Sequence, residues 1–230
     1  MGAALDPSPE PRGDPMLSFS SAPAAQSAIA ACAVTGAASI LVLSFKSLGG
    51  YGWAEGIFTW CLHPTLLLLA TLVVLPYGMR IYRLQPDGAR AAARARHGAA
   101  QLAGLASALG GYAAAWALLE LKGHAHLPAL HKPLSKQLHI YGGLAALALL
   151  LWQAARGAAM AAAPEPVKGA RAAHSAWGFR VWAALLFVSW LGLEMPLFEK
   201  AGANAVAPVL FALLSGGFGG SAFLMARALA

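Results

Sequence analysis

The chain is short of charge. Of its 230 residues only 11 % are Asp, Glu, Lys or Arg, against about a quarter in an average soluble domain. With 59 % hydrophobic residues and a mean hydropathy of +0.61, the chain cannot clothe a water-soluble globule. That excludes a soluble enzyme and a disordered chain, and it places almost the whole length in a lipid bilayer. Cysteine is scarce as well. Cys32 and Cys61 are the two present, too few for a disulfide scaffold. Acids are outnumbered nine to sixteen by Lys and Arg, for a net charge of +7. On a soluble chain that excess would suggest nucleic acid. On a membrane chain it records which side of the bilayer each loop faces, and no nucleic-acid partner is expected.

What is present is a series of long uncharged windows. Residues 15–45, 56–79, 97–119, 137–155 and 201–226 contain no Asp, Glu, Lys or Arg, and 172–193 is interrupted only by Arg180. A helix crosses the hydrocarbon core in about 20 apolar residues. The windows therefore predict an all-α membrane protein with six transmembrane helices, over roughly 25–45, 57–79, 97–119, 137–158, 174–195 and 204–226. Residues 1–24 hold five prolines among Ser, Gly and acids and read as a disordered tail. They lack the basic segment and apolar run of a signal peptide, and Asp6 stands where a myristoylation motif wants Ser or Thr. Residues 25–228 form the membrane domain.

Six crossings put both termini on one side, B. Its basic residues are Arg12, Arg80, Arg83, Arg90, Arg94, Arg96, Arg156, Lys168, Arg171, Arg180 and Arg227. The opposite side, A, has Lys46, Lys122, Lys132, Lys136 and Lys200. Eleven against five, with every arginine on side B, makes B cytosolic and the protein multi-pass with both termini in the cytosol. Cys32 and Cys61 then fall at different depths, which excludes a disulfide between them.

The seven histidines carry the chemistry. An ionisable group inside a membrane span is costly and marks function. His63, His97, His139 and His174 open successive helices, and successive helices run in opposite directions. His63 and His139 therefore share the side-A level, and His97 and His174 share the side-B level. Imidazole is the axial ligand of haem iron, and facing helices of a bundle can hold one imidazole on each side of such a group. No C-x-x-C-H is present for covalent attachment. One turn on from His139 and His174 stand Gly143 and Gly178, small enough for a flat macrocycle to approach the backbone. One turn on from His97 stands Gln101, a hydrogen-bond donor.

These stretches resemble the cytochrome b561 family, six-helix carriers of electrons across membranes. The matching residues are Phe58–Pro64 around His63, His97 to Leu102, Gln137 to Gly143 continuing to Trp152-Gln153, and His174 to Gly178. The resemblance covers residues 25–228. It implies a central four-helix bundle of helices 2–5 holding two b-type haems, one on His63 and His139, the other on His97 and His174. It implies an oxidoreductase of the transmembrane ascorbate ferrireductase type. Cytosolic ascorbate would deliver one electron on side B, and monodehydroascorbate or a ferric chelate would accept it on side A. The chain departs from the family where Cys61-Leu62 precedes His63 and where Ile140-Tyr141 follows His139. His131 stands near enough to helix 4 to rival His139.

Around this frame, Arg80, Tyr82, Arg83, Lys168 and Arg171 are expected to line a basic mouth for the ascorbate anion on side B. Arg180 is expected to snorkel or to pair with a haem propionate. Lys132, Lys136 and His131 are expected on the acceptor side, and His124, His126 and His131 are imidazoles that suit iron or copper. Homodimerisation and the identity of the membrane stay open. The competing classes are a histidine-dependent proton-coupled transporter, which calls for ionisable groups at the midplane and broken helices, and a non-redox structural membrane subunit.

Overall fold

A computed structural model describes residues 22–44, 62–84, 90–124, 133–163, 169–201 and 206–229. All regular structure among them is helical: α1 (Ala22–Ser44), α2 (Leu62–Leu69), a π-helical turn (Ala70–Val74), α3 (Leu75–Leu84), α4 (Arg90–Leu121), α5 (Leu134–Ala162), α6 (Ala170–Ala201) and α7 (Val206–Leu229). With α2, the π turn and α3 forming one crossing, six spans are long and apolar enough to traverse a bilayer. In hydrocarbon each backbone amide must find its partner within the protein, and the helix does this locally.

Several helices outrun the uncharged windows. α4 begins at Arg90, because Arg90-Ala-Ala-Ala-Arg-Ala-Arg96 is built from strong helix formers that continue the helix into the interface. His97 therefore lies two turns inside α4. α6 continues to Ala201, beyond the expected end at 195. The tail 1–21 lies outside the described residues, as do Cys61, Lys132, Lys168, and the loop histidines His126 and His131.

The break in the second span has a definite cause. Pro76 has no amide hydrogen and its ring crowds the preceding turn. The Leu75 amide donates to the Ala70 carbonyl, one residue further back than in an α-helix. The next bond in that register would run from residue 76 to Thr71, and Pro76 cannot make it. The indole Nε1 of Trp182, buried on α6, instead donates to the Thr71 carbonyl at 2.7 Å.

α2 and α3 pack along α4, and α5 packs along α6. Contacts of α2 with α6 and of α4 with α5 close these four spans into a ring. α1 and α7 pair outside it, lying on the π turn, α3 and α6. Small residues let the backbones approach: a Cβ on Gly36 would meet Leu72 at 3.1 Å, and one on Gly217 would meet Thr35 at 2.8 Å. Between α1 and α7, Thr35 and Ser221 hydroxyls bond at 3.3 Å. Cys32 is buried and unbridged in the same seam.

Candidate functional site: two histidine pairs

The bundle brings the four span histidines together two by two. His63 of α2 faces His139 of α5, ring centres 6.0 Å apart and planes at 82°. His97 of α4 faces His174 of α6, centres 6.4 Å apart and planes at 74°. His97 and Gly111, which accepts from His63, are fourteen residues apart on α4, so the two levels are about 21 Å apart along the bundle at about 1.5 Å per residue.

Backbone carbonyls orient three of the four rings. His63 Nδ1 donates to the Gly111 carbonyl at 2.9 Å, His97 Nδ1 to Gly78 at 2.7 Å, and His139 Nδ1 to Val188 at 3.0 Å. A carbonyl only accepts, so each of these rings carries its proton on Nδ1 and its lone pair on Nε2. That is the tautomer of a histidine that ligates a metal through Nε2, and the bond to the distal nitrogen makes it a stronger donor.

His174 is held differently. The Gln153 amide nitrogen donates to the His174 carbonyl at 2.7 Å and lies 3.0 Å from its Nδ1. In this arrangement Nδ1 accepts and the proton sits on Nε2. The other end of the amide, Gln153 Oε1, is buried without a hydrogen-bond partner. Turning the amide would offer that oxygen to an Nδ1 proton but would also set it against the His174 carbonyl oxygen, which only the amide nitrogen can bond.

Glycines of the neighbouring helix make room for the rings. A Cβ on Gly192 would stand 2.5 Å from His139 Cε1, and one on Gly157 would stand 3.2 Å from His174 Cε1. A Cβ on Gly111 would come within 3.1 Å of the His63 carbonyl. The structure also places the glycines singled out by spacing. Gly143 faces Val188, and Gly178 faces the Gln153 amide at 3.1 Å, at the α5–α6 contact. Gln101 is as expected near the His97 level. Its Nε2 is buried and has no hydrogen-bond partner, and it would touch a Cβ added at Gly78.

The expected anion-binding residues scatter. Arg80 is 1 % exposed and donates to the Met225 carbonyl, so it ties α3 to α7 from within the protein. Tyr82 and Arg83 belong to α3, described there by backbone alone, and Lys168 is outside the described residues. Arg171 and Lys136 are exposed. Arg180 is exposed and stacks on Trp177. His124 is exposed three residues beyond the end of α4. The residues that spacing missed are the cross-helix partners Gly111, Gly78, Gly157, Gly192 and Val188. The repeated glycines at 110–111 and 142–143 were the available signal, but which ring meets which glycine depends on inter-helix register.

Two imidazoles sharing one first-row metal ion at about 2 Å per nitrogen have centres about 6 Å apart, as both pairs do. Among the described residues no group of three or more His, Cys, Asp or Glu gathers to hold a metal. A two-imidazole set leaves the other coordination positions to a group the protein does not make. Two buried amide atoms near the His97–His174 level, Gln101 Nε2 and Gln153 Oε1, have no hydrogen-bond partner. No family model matches the chain, and no curated protein matches it at a significant level.

Proposed function

We propose that the protein is a di-haem transmembrane electron carrier of the cytochrome b561 kind, with His63 and His139 as axial ligands of one b-type haem and His97 and His174 as those of the other. Haem iron held by two imidazoles supplies reversible one-electron chemistry. The observation that carries the reading is the pairing: four histidines from four spans meet as two pairs, at 6.0 and 6.4 Å, at opposite ends of one bundle. Three carbonyl acceptors fix the Nδ1-protonated tautomer, which leaves Nε2 free to ligate. In this reading cytosolic ascorbate is the donor on the arginine-rich side, and monodehydroascorbate or a ferric chelate is the acceptor on the other.

The transporter reading calls for a midplane ionisable site at broken helices. The break at Pro76 is sealed by the Trp182–Thr71 bond, which weighs against it. The visible spectrum of the protein, purified from cells supplied with haem, tests the proposal. A Soret band and an α-band that ascorbate develops are expected. His63→Ala and His97→Ala are each expected to remove about half the bound haem. A colourless protein, or loss of all haem from either change alone, refutes the two-site assignment.

A further inference from the structure

Two arginines lie within the apolar spans of α5 and α6, Arg156 half-buried and Arg180 exposed. The Arg156 guanidinium sits 4.8 Å over the Trp152 ring, and that of Arg180 sits 5.0 Å over Trp177. The two indoles meet edge to face at 5.4 Å. The four side chains make one continuous cluster across the α5–α6 seam.

The antiparallel geometry explains why they converge. Contacts of Gly157 with His174 and of Gly192 with His139 set α5 and α6 running in opposite directions. Side chains lean toward the N-terminus of their own helix. Arg156 therefore dips a turn into the membrane and Arg180 climbs a turn toward the His174 end. Both guanidiniums reach the level of the indole pair.

The cluster opens outward from the bundle. Trp182 points into the bundle, where it bonds Thr71. Arg180 precedes it by two residues, about 200° around the helix, and so points away from the interior. Arg180 is exposed, and Trp152 and Trp177 are 41 % and 37 % exposed. Among the described residues of α5 and of α6 up to 193 there is no Asp or Glu, Glu120 lies at the far end of α4, and Glu165 of the α5–α6 connection lies outside the described residues. Stacking on indole offsets part of the cost of a buried cation, but two guanidinium charges at this depth still call for an anion.

We propose that the Arg156–Trp152–Trp177–Arg180 cluster binds the phosphate headgroup of an acidic phospholipid from the leaflet at the His174 end. Guanidinium matches phosphate in forked, charge-assisted hydrogen bonds. The indoles supply an amphipathic platform at the interface, and basic pockets between spans are a known setting for anionic headgroups. The proposal stands independently of the haem reading.

Native mass spectrometry of the full chain, purified in detergent doped with equal phosphatidylglycerol and phosphatidylcholine, tests it. The unaltered protein should retain phosphatidylglycerol preferentially. Loss of one basic residue near the surface should weaken this about fivefold, and R156Q/R180Q should weaken it tenfold or more. R156K/R180K, which keeps the charge and loses the fork, should fall between. The single variants and the lysine pair carry the test if the double glutamine variant does not fold. Equal phosphatidylglycerol retention across all variants overturns the proposal. So does displacement of the lipid by millimolar inorganic phosphate. Unchanged lipid with lowered haem content also overturns it, and would assign the arginines to the cofactor's propionates.

Discussion

Gly192→Ala is the most direct test of how the histidine pairs are built. A methyl at Gly192 would stand 2.5 Å from His139 Cε1, 2.9 Å from Nδ1 and 3.3 Å from Nε2. Carbon atoms rest about 3.5–4.0 Å apart, so the ring must retreat by about 1 Å. Its bond to the Val188 carbonyl is already 3.0 Å long, and such a retreat takes it past the useful limit of about 3.2 Å. Overpacking costs about 1–3 kcal/mol and the lost hydrogen bond about 0.5–1.5 kcal/mol more. The damage should be local, because the His97–His174 level lies about 21 Å away along the bundle. Thermal unfolding followed by circular dichroism should show a fall of several degrees, at about 2–4 °C per kcal/mol for a chain this long. If the haem reading holds, redox titration of the visible spectrum should show the component held by His63 and His139 altered and the other unchanged. Gly220→Ala, where an added methyl meets nothing within 4 Å, is the control. A Gly192→Ala protein as stable as the parent, or one in which both components change alike, refutes the argument.

Gln153→Leu removes both hydrogen bonds that hold His174. ¹⁵N spectra of histidine-labelled, haem-free protein should show one ring protonated on Nε2 and three on Nδ1 at the four span sites, and this change should disturb the odd one alone. Trp182→Phe strips the Thr71 carbonyl of its donor in a buried, apolar setting, which should cost about 1–3 kcal/mol and lower the melting temperature accordingly. Retention of full stability by that variant would mean the π turn closes without help.

The spans were legible because lipid tolerates so few charges: the gaps between charged residues located all six. Their ends were not, because arginines within Ala-rich sequence extend a helix as readily as they end one. The pairing of His63 with His139 and of His97 with His174 followed from alternating helix direction, a property of the chain alone. The rings' hydrogen-bond partners did not follow, since Gly111, Gly78 and Val188 meet histidines of other helices and that register is decided by packing. Spacing within one helix pointed instead to Gly143 and Gly178, which face Val188 and Gln153. The π turn was not anticipated: a continuous helix was expected over 57–79, and Pro76 within it marks the break. Arg80 reads from sequence like a solvent-facing base, and only the packing of α7 on α3 shows it buried.

The hydrogen bonds divide the site into two halves, and the division explains how local and shared defects differ. His63 on α2 is held by α4, and His97 on α4 is held by α3. His139 on α5 is held by α6, and His174 on α6 by α5. Each helix pair thus grips its own two histidines, and each functional pair takes one ring from either half. Ring orientation is decided within a half. Ring separation is decided by how the halves dock. The bond from Trp182 to Thr71 joins them, midway along the second span, at the turn where Pro76 leaves a carbonyl to be claimed. Gln153→Leu, acting inside one half, should disturb one ring. Trp182→Phe, acting at the joint, should move both pairs together. Equal and independent shifts in the two variants would mean that the halves are not the mechanical units the hydrogen bonds describe.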